Sequence, residues 1–100
     1  MRAYARFKKC IGKGNLWLYV VSVLSRKGPL HGYAIIQELR GLGFEISTVY
    51  GYVLLKRMVA DGVLVEVEDG GKKLYRPTEK AIENFKKALE ELKSLVDILS

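Results

Sequence analysis

The sequence has one cysteine, Cys10, and one histidine, His31, and these two scarcities exclude whole classes of chemistry. A single cysteine forms no intrachain disulfide, and no Cys/His cluster stands at zinc-ligand spacing, so neither a disulfide framework nor a bound metal is expected. No apolar run reaches the ~20 residues needed to cross a bilayer. The first twenty residues also lack the charged, apolar and small-residue order of a signal peptide, so no membrane partner and a cytoplasmic location are expected. No nucleophile, base and oxyanion donor fall into a catalytic arrangement, and the sequence predicts no enzyme and no cofactor. Gly70-Gly71 and Gly41-x-Gly43 lack the spacing of phosphate-cradling loops. His31 has no carboxylate or second histidine at useful spacing and is expected to help start a helix.

Acidic residues are missing from one end: none precedes Glu38, while Arg2, Arg6, Lys8, Lys9, Lys13, Arg26 and Lys27 are already in place. From Met1 to Arg76 thirteen Lys/Arg face six Asp/Glu, a net +7; from Pro77 to Ser100 four face five, a net −1. The first three-quarters thus carry all the excess positive charge, which points to a polyanion partner for the head and a different task for the tail. A merely solvated basic surface is the alternative.

One hundred residues, 49% of them hydrophobic, allow one modest core plus an appendage. Residues 1–14 read as a basic N-terminal arm carrying Tyr4 and Phe7, with its order left open. The following run LWLYVVSVLS is apolar on every side of a helical wheel, as in a helix buried on more than one face; a partner subunit would supply the missing cover. Lys27-Gly28-Pro29 stops that helix. A second helix runs to about Arg40 with Ile35, Ile36 and Leu39 on one stripe. After the link Gly41-Leu42-Gly43-Phe44, Ser47 stands as the N-cap of a third helix that ends at Asp61-Gly62.

Two short strands follow, Val63 to Glu68 and Lys73 to Arg76, joined by the hairpin signal Asp69-Gly70-Gly71-Lys72. Pro77 closes the second strand, and Thr78 caps a last helix that runs to about Leu99. Helix, helix, turn, helix and hairpin in this order make a mainly α fold with a small β-hairpin. The reading is a winged helix-turn-helix over residues 15–77 with a long C-terminal dimerisation helix over 78–100.

On a wheel centred on Leu55, the third helix buries Thr48, Gly51, Tyr52, Met58 and Val59 and presents Val49, Tyr50, Val53, Arg57 and Ala60, flanked by Lys56. Valines that meet thymine methyls and an Arg that pairs with guanine suit a major groove. Ser47, Thr48, Val49, Tyr50, Val53, Lys56 and Arg57 are therefore the candidate double-stranded DNA contacts of this helix; burial of the valines under the arm is the alternative. Lys72, Lys73 and Arg76 are the candidate phosphate contacts of the hairpin. In the last helix Ile82, Phe85, Leu89, Leu92, Val96 and Leu99 are spaced 3, 4, 3, 4, 3, a heptad stripe almost three heptads long. At 1.5 Å per residue it reaches about 32 Å, well beyond a small head, which points to a homodimer. Trp17 and Val21, off the line of Leu16, Val20 and Val23, are placed with the stripe at that interface.

Three segments also carry a family resemblance: GPLHGYAIIQEL, LLKRMVADGVL and KKLYRPTEKA resemble, in order, the opening, the recognition-helix end and the pre-dimerisation strand of PadR-like regulators. Together they span roughly Asn15 to Ala88. The resemblance implies a dimeric transcriptional regulator that binds a pseudo-palindromic site, with room for a small aromatic effector lined by Trp17, Tyr19 and Phe85. Tyr50-Gly51-Tyr52-Val53 stands where that family usually has a Thr-Leu-Tyr-Pro-like start, so its base contacts do not carry over. A winged-helix protein-interaction module and a non-specific architectural nucleic-acid-binding protein are the competing readings.

Overall fold

Two hydroxyl caps and a two-glycine turn set the main boundaries in the computed structural model, which describes residues 1–100 apart from the side chain of Lys13. The elements are α1 (Arg2–Ile11), a 3-10 turn (Lys13–Asn15), α2 (Leu16–Lys27), β1 (Leu30–His31), α3 (Gly32–Gly41), α4 (Thr48–Ala60), β2 (Leu64–Asp69), β3 (Lys72–Pro77) and α5 (Glu79–Leu99). Ser47 Oγ accepts from Tyr50 N at 3.0 Å and starts α4. Thr78 Oγ1 accepts from Ala81 N at 3.1 Å and starts α5, while its own hydroxyl donates to Gly62 O at 2.6 Å. One side chain therefore both caps α5 and ties it to the turn that ends α4.

Gly70 and Gly71 adopt φ of 58° and 83° between the paired residues Asp69 and Lys72, so both central positions of the two-residue turn need positive φ. The hairpin is extended by β1, which the sequence did not announce: Leu30 pairs with Tyr75 and His31 with Leu74, giving the antiparallel order β1-β3-β2. His31 occupies the N-cap position of α3, but its side chain makes no capping bond.

The core lies where α2, α3, α4 and the sheet meet. Val20, Leu24, Ile35, Ile36, Leu39, Leu55 and Leu64 are buried there, with Met58 and Tyr75 completing it. Each such side chain contributes on the order of 1.5–3 kcal/mol by leaving water. The all-round apolar character of α2 finds its cover largely within the chain, from β3, α3 and α5. Val21 is fully buried there and offers no surface to a partner, a correction to its place in the expected interface.

Residues 1–14 are mostly helical. Tyr19 Oη donates to Ile11 O and Asn15 Nδ2 donates to Cys10 O, holding the end of α1 against the start of α2. Yet α1 buries none of its residues, and Tyr4, Phe7 and Ile11, spaced 3 and 4 apart, stand exposed along one side.

Candidate nucleic-acid interface

The approach of α3 to α4 depends on one missing side chain. A Cβ at Gly51 would lie 2.5 Å from Cδ1 and Cγ1 of the fully buried Ile36, so only glycine lets the two helices cross this closely. This accounts for the glycine in the Tyr50-Gly51-Tyr52-Val53 run of α4. Gly51→Ala gains about 1 kcal/mol of helix propensity but overpacks the crossing at a cost of about 1–3 kcal/mol. We expect a net loss of stability, read as a Tm several degrees lower in a thermal melt. An unchanged or higher Tm would contradict the packing.

With that crossing fixed, α4 turns Gly51, Leu55 and Met58 inward and leaves Val49, Tyr50, Val53, Lys56, Arg57 and Ala60 outward. Val49 is 76% exposed, which removes the alternative in which the N-terminal segment covers it. Val53 is 41% exposed and is likewise not buried. Ser47 and Thr48 are exposed at the start of the same helix. Thr48 and Tyr52, assigned to the buried side by the wheel, also stand at the surface. Tyr52 lies over the backbone of Gly32, where a Cβ would meet its Cε1 at 2.7 Å, so its ring packs at the edge of the core rather than within it.

The hairpin brings its cations beside this helix. Lys72 and Lys73 share a groove of about 510 Å³ with Lys56 and Tyr52 of α4, His31 of β1 and the ring of Tyr75. Glu66, on the neighbouring strand, pairs with Lys73 at 3.5 Å and leaves Lys56 and Lys72 without an ion-pair partner among the described residues. Burial lifts the Tyr75 phenol above its ordinary value, and Glu66 adds to the rise while Lys73 opposes it, so the hydroxyl stays protonated. Arg76 is exposed further along β3, opposite Val65, and does not line this groove. The arrangement offers three ammonium groups beside an exposed helix face that mixes aliphatic, aromatic and cationic side chains.

Along α5 the stripe grades from half-buried to open. Ile82 and Phe85 lie partly against the head, whereas Leu89, Leu92, Val96 and Leu99 are 44–77% exposed. Leu95 and Ile98, which the heptad count left out, widen the exposed apolar surface. Trp17 is half-buried in a hollow with Asp61, Val63, Lys80 and Ala81. Tyr19 and Phe85 instead line a separate apolar groove of about 300 Å³ between α1, α2 and α5, so the three aromatics expected around an effector do not converge.

Comparison with known proteins agrees with this architecture. Residues 20–87 match the model of the transcriptional regulator PadR-like family. A PadR family transcriptional regulator from Eggerthella lenta DSM 2243 superposes with a TM-score of 0.70 at 25% identity, over 99% of this chain and 94% of that one. A transcriptional regulator from Clostridium thermocellum gives 0.67 at 21% identity, covering 87% and 88%. F93 from STIV, a winged-helix DNA-binding protein, gives 0.66 at 26% identity, covering 82% and 90%. No curated protein matches the sequence.

Proposed function

This chain belongs to the PadR-like family of transcriptional regulators, and on that premise we propose that it binds duplex DNA sequence-specifically as a homodimer. The observation that carries the reading is the exposed face of α4, where Val49, Tyr50, Val53 and Arg57 stand clear of the core with Lys56 and the wing lysines at their flank. In this reading α4 enters the major groove, Arg57 and Tyr50 read base edges, and Ser47 and Thr48 sit at the groove wall. Lys56, Lys72, Lys73 and Arg76 meet phosphates, which set register without reading sequence.

The paired state is supported by the apolar surface that α5 leaves open. Leu89, Leu92, Leu95, Val96, Ile98 and Leu99 all stand exposed along the outer half of α5, and a second copy would supply a matching stripe to cover them. Ile82, Phe85 and Trp17 flank it at the head. A small aromatic effector would find apolar cover in the groove of Tyr19, Phe85, Leu89 and Leu92, beside the proposed dimer contact. A regulator of this kind would work in the cytoplasm.

A competition assay tests the division of labour. Arg57→Ala and Tyr50→Ala should change which sequences are preferred, each by about 1–3 kcal/mol at the base pair it reads. Lys72→Ala should weaken all sequences alike and reduce the salt slope by about one per contact. Wing and helix variants that behave identically would refute the assignment.

A further inference from the structure

On the outer side of α3, Tyr33, Gln37 and Arg40 form a hydrogen-bonded row that reaches across to the first residue of α4. Gln37 Nε2 donates to Tyr33 Oη at 3.0 Å, Arg40 Nη1 donates to Gln37 Oε1 at 3.3 Å, and Arg40 Nη2 donates to Thr48 Oγ1 at 3.1 Å. Arg40 Nε donates to Ile46 O at 3.1 Å, which fixes the guanidinium against the loop before α4.

The direction of these bonds decides what the row can bind. Every acceptor that Arg40 meets is neutral, and no carboxylate lies within 4.0 Å of it among the described residues. Glu45 shares its hollow without pairing with it. Glu38, the acid of α3 itself, is taken by Lys27. The half-buried guanidinium is thus held by three neutral oxygens, with no carboxylate paired to it among the described residues. A guanidinium has five N–H donors, so two remain, one on each terminal nitrogen. Gln37 Oε1, Tyr33 Oη and Thr48 Oγ1 each accept one bond from within the row, while the hydroxyls of Tyr33 and Thr48 donate to no partner among the described residues. The row is therefore a surface of donors around one uncompensated positive charge, complementary to an anion that only accepts hydrogen bonds.

We propose that Tyr33, Gln37, Arg40 and Thr48 form a second seat for a DNA backbone phosphate, beside the start of α4 and separate from the lysine groove of the wing. The two sites share no lining residue, so α4 is held to the duplex at two points rather than one. Because Arg40 also ties Ile46 O and Thr48, the group that grips the phosphate is the one that places the recognition helix. The proposal rests on the DNA-binding reading above, and none of Tyr33, Gln37 or Arg40 carries a base-reading role in it.

The test is a salt titration of duplex binding with the full chain, repeated on several unrelated sequences. Arg40→Gln should weaken every duplex about tenfold and lower the slope of log K against log salt by about two per dimer. Tyr33→Phe and Thr48→Val each remove one hydroxyl donor without changing charge, and should weaken every duplex severalfold with the slope unchanged. These two variants decide the matter where Arg40→Gln disturbs folding, which its melting curve reports. Unchanged affinity in both hydroxyl variants, or an unchanged slope in a folded Arg40→Gln, would overturn the seat while leaving wild-type DNA binding intact. A variant that alters the preferred sequence would overturn it in favour of base reading. Wild-type protein that binds no duplex would overturn both the seat and the reading beneath it.

Discussion

Leu92→Glu should raise the dimer dissociation constant about 10³-fold or more, leaving a chain that sediments near 11.3 kDa at micromolar concentration. Leu92 sits at the middle of the exposed α5 stripe, 44% accessible in the single chain, and two-fold pairing would bring both copies of it near the axis. Replacing a leucine buried at an interface costs about 2–5 kcal/mol, and the change occurs twice in a symmetric pair. Every 1.4 kcal/mol is tenfold in affinity, so even the low end of that range gives the stated factor. Two carboxylates facing each other add to it. Sedimentation equilibrium measures the effect. A wild-type mass that stays at the single-chain value at all concentrations would show that the stripe has no such partner.

Affinity for duplex DNA should fall about 10³ to 10⁵-fold between 50 and 200 mM salt for a dimer making roughly 6 to 10 phosphate contacts. The head carries the excess positive charge, and the groove between wing and α4 concentrates Lys56, Lys72 and Lys73, only one of which is paired with an acid. Release of counterions from the duplex then dominates binding. Fluorescence anisotropy across that salt range measures the effect. A nearly flat response would favour the alternative in which the winged helix docks another protein.

How far the sequence anticipates this architecture depends on whether a feature is local. Ser47 and Thr78 are recognisable as caps because a cap bonds within three residues of itself, and the Asp-Gly-Gly-Lys turn because its backbone needs two glycines in succession. Most of the outward face of α4 follows from helical period, though Thr48 at the first turn and Tyr52 at the edge of the core stand at the surface where the wheel buries them. β1 is invisible by the same logic: two residues have no period, and Leu30 and His31 become a strand only by pairing with Tyr75 and Leu74 far along the chain. Val21 belongs to the core and not to a partner contact, which the sequence hides because a helix apolar on all sides does not reveal which neighbour covers which side; here its own head covers most of it. Gly51 looks like a weak point in a helix until the buried Ile36 is set against it. The row at Arg40 could not be read at all, since Thr48 and Ile46 reach it only through the turn between α3 and α4.

Selection of binding sites from a random duplex pool decides whether a two-fold pair of these chains recognises a particular DNA sequence, as proposed. Two recognition helices related by a two-fold axis require two inverted half-sites with centres about one helical turn, roughly 34 Å, apart. The expected outcome is enrichment of a pseudo-palindrome with that spacing, bound at least about 10³-fold more tightly than unselected duplex at the same salt. A pool that remains random after repeated rounds, with every duplex retained equally, would contradict the claim and leave a basic winged helix that binds nucleic acid without reading it.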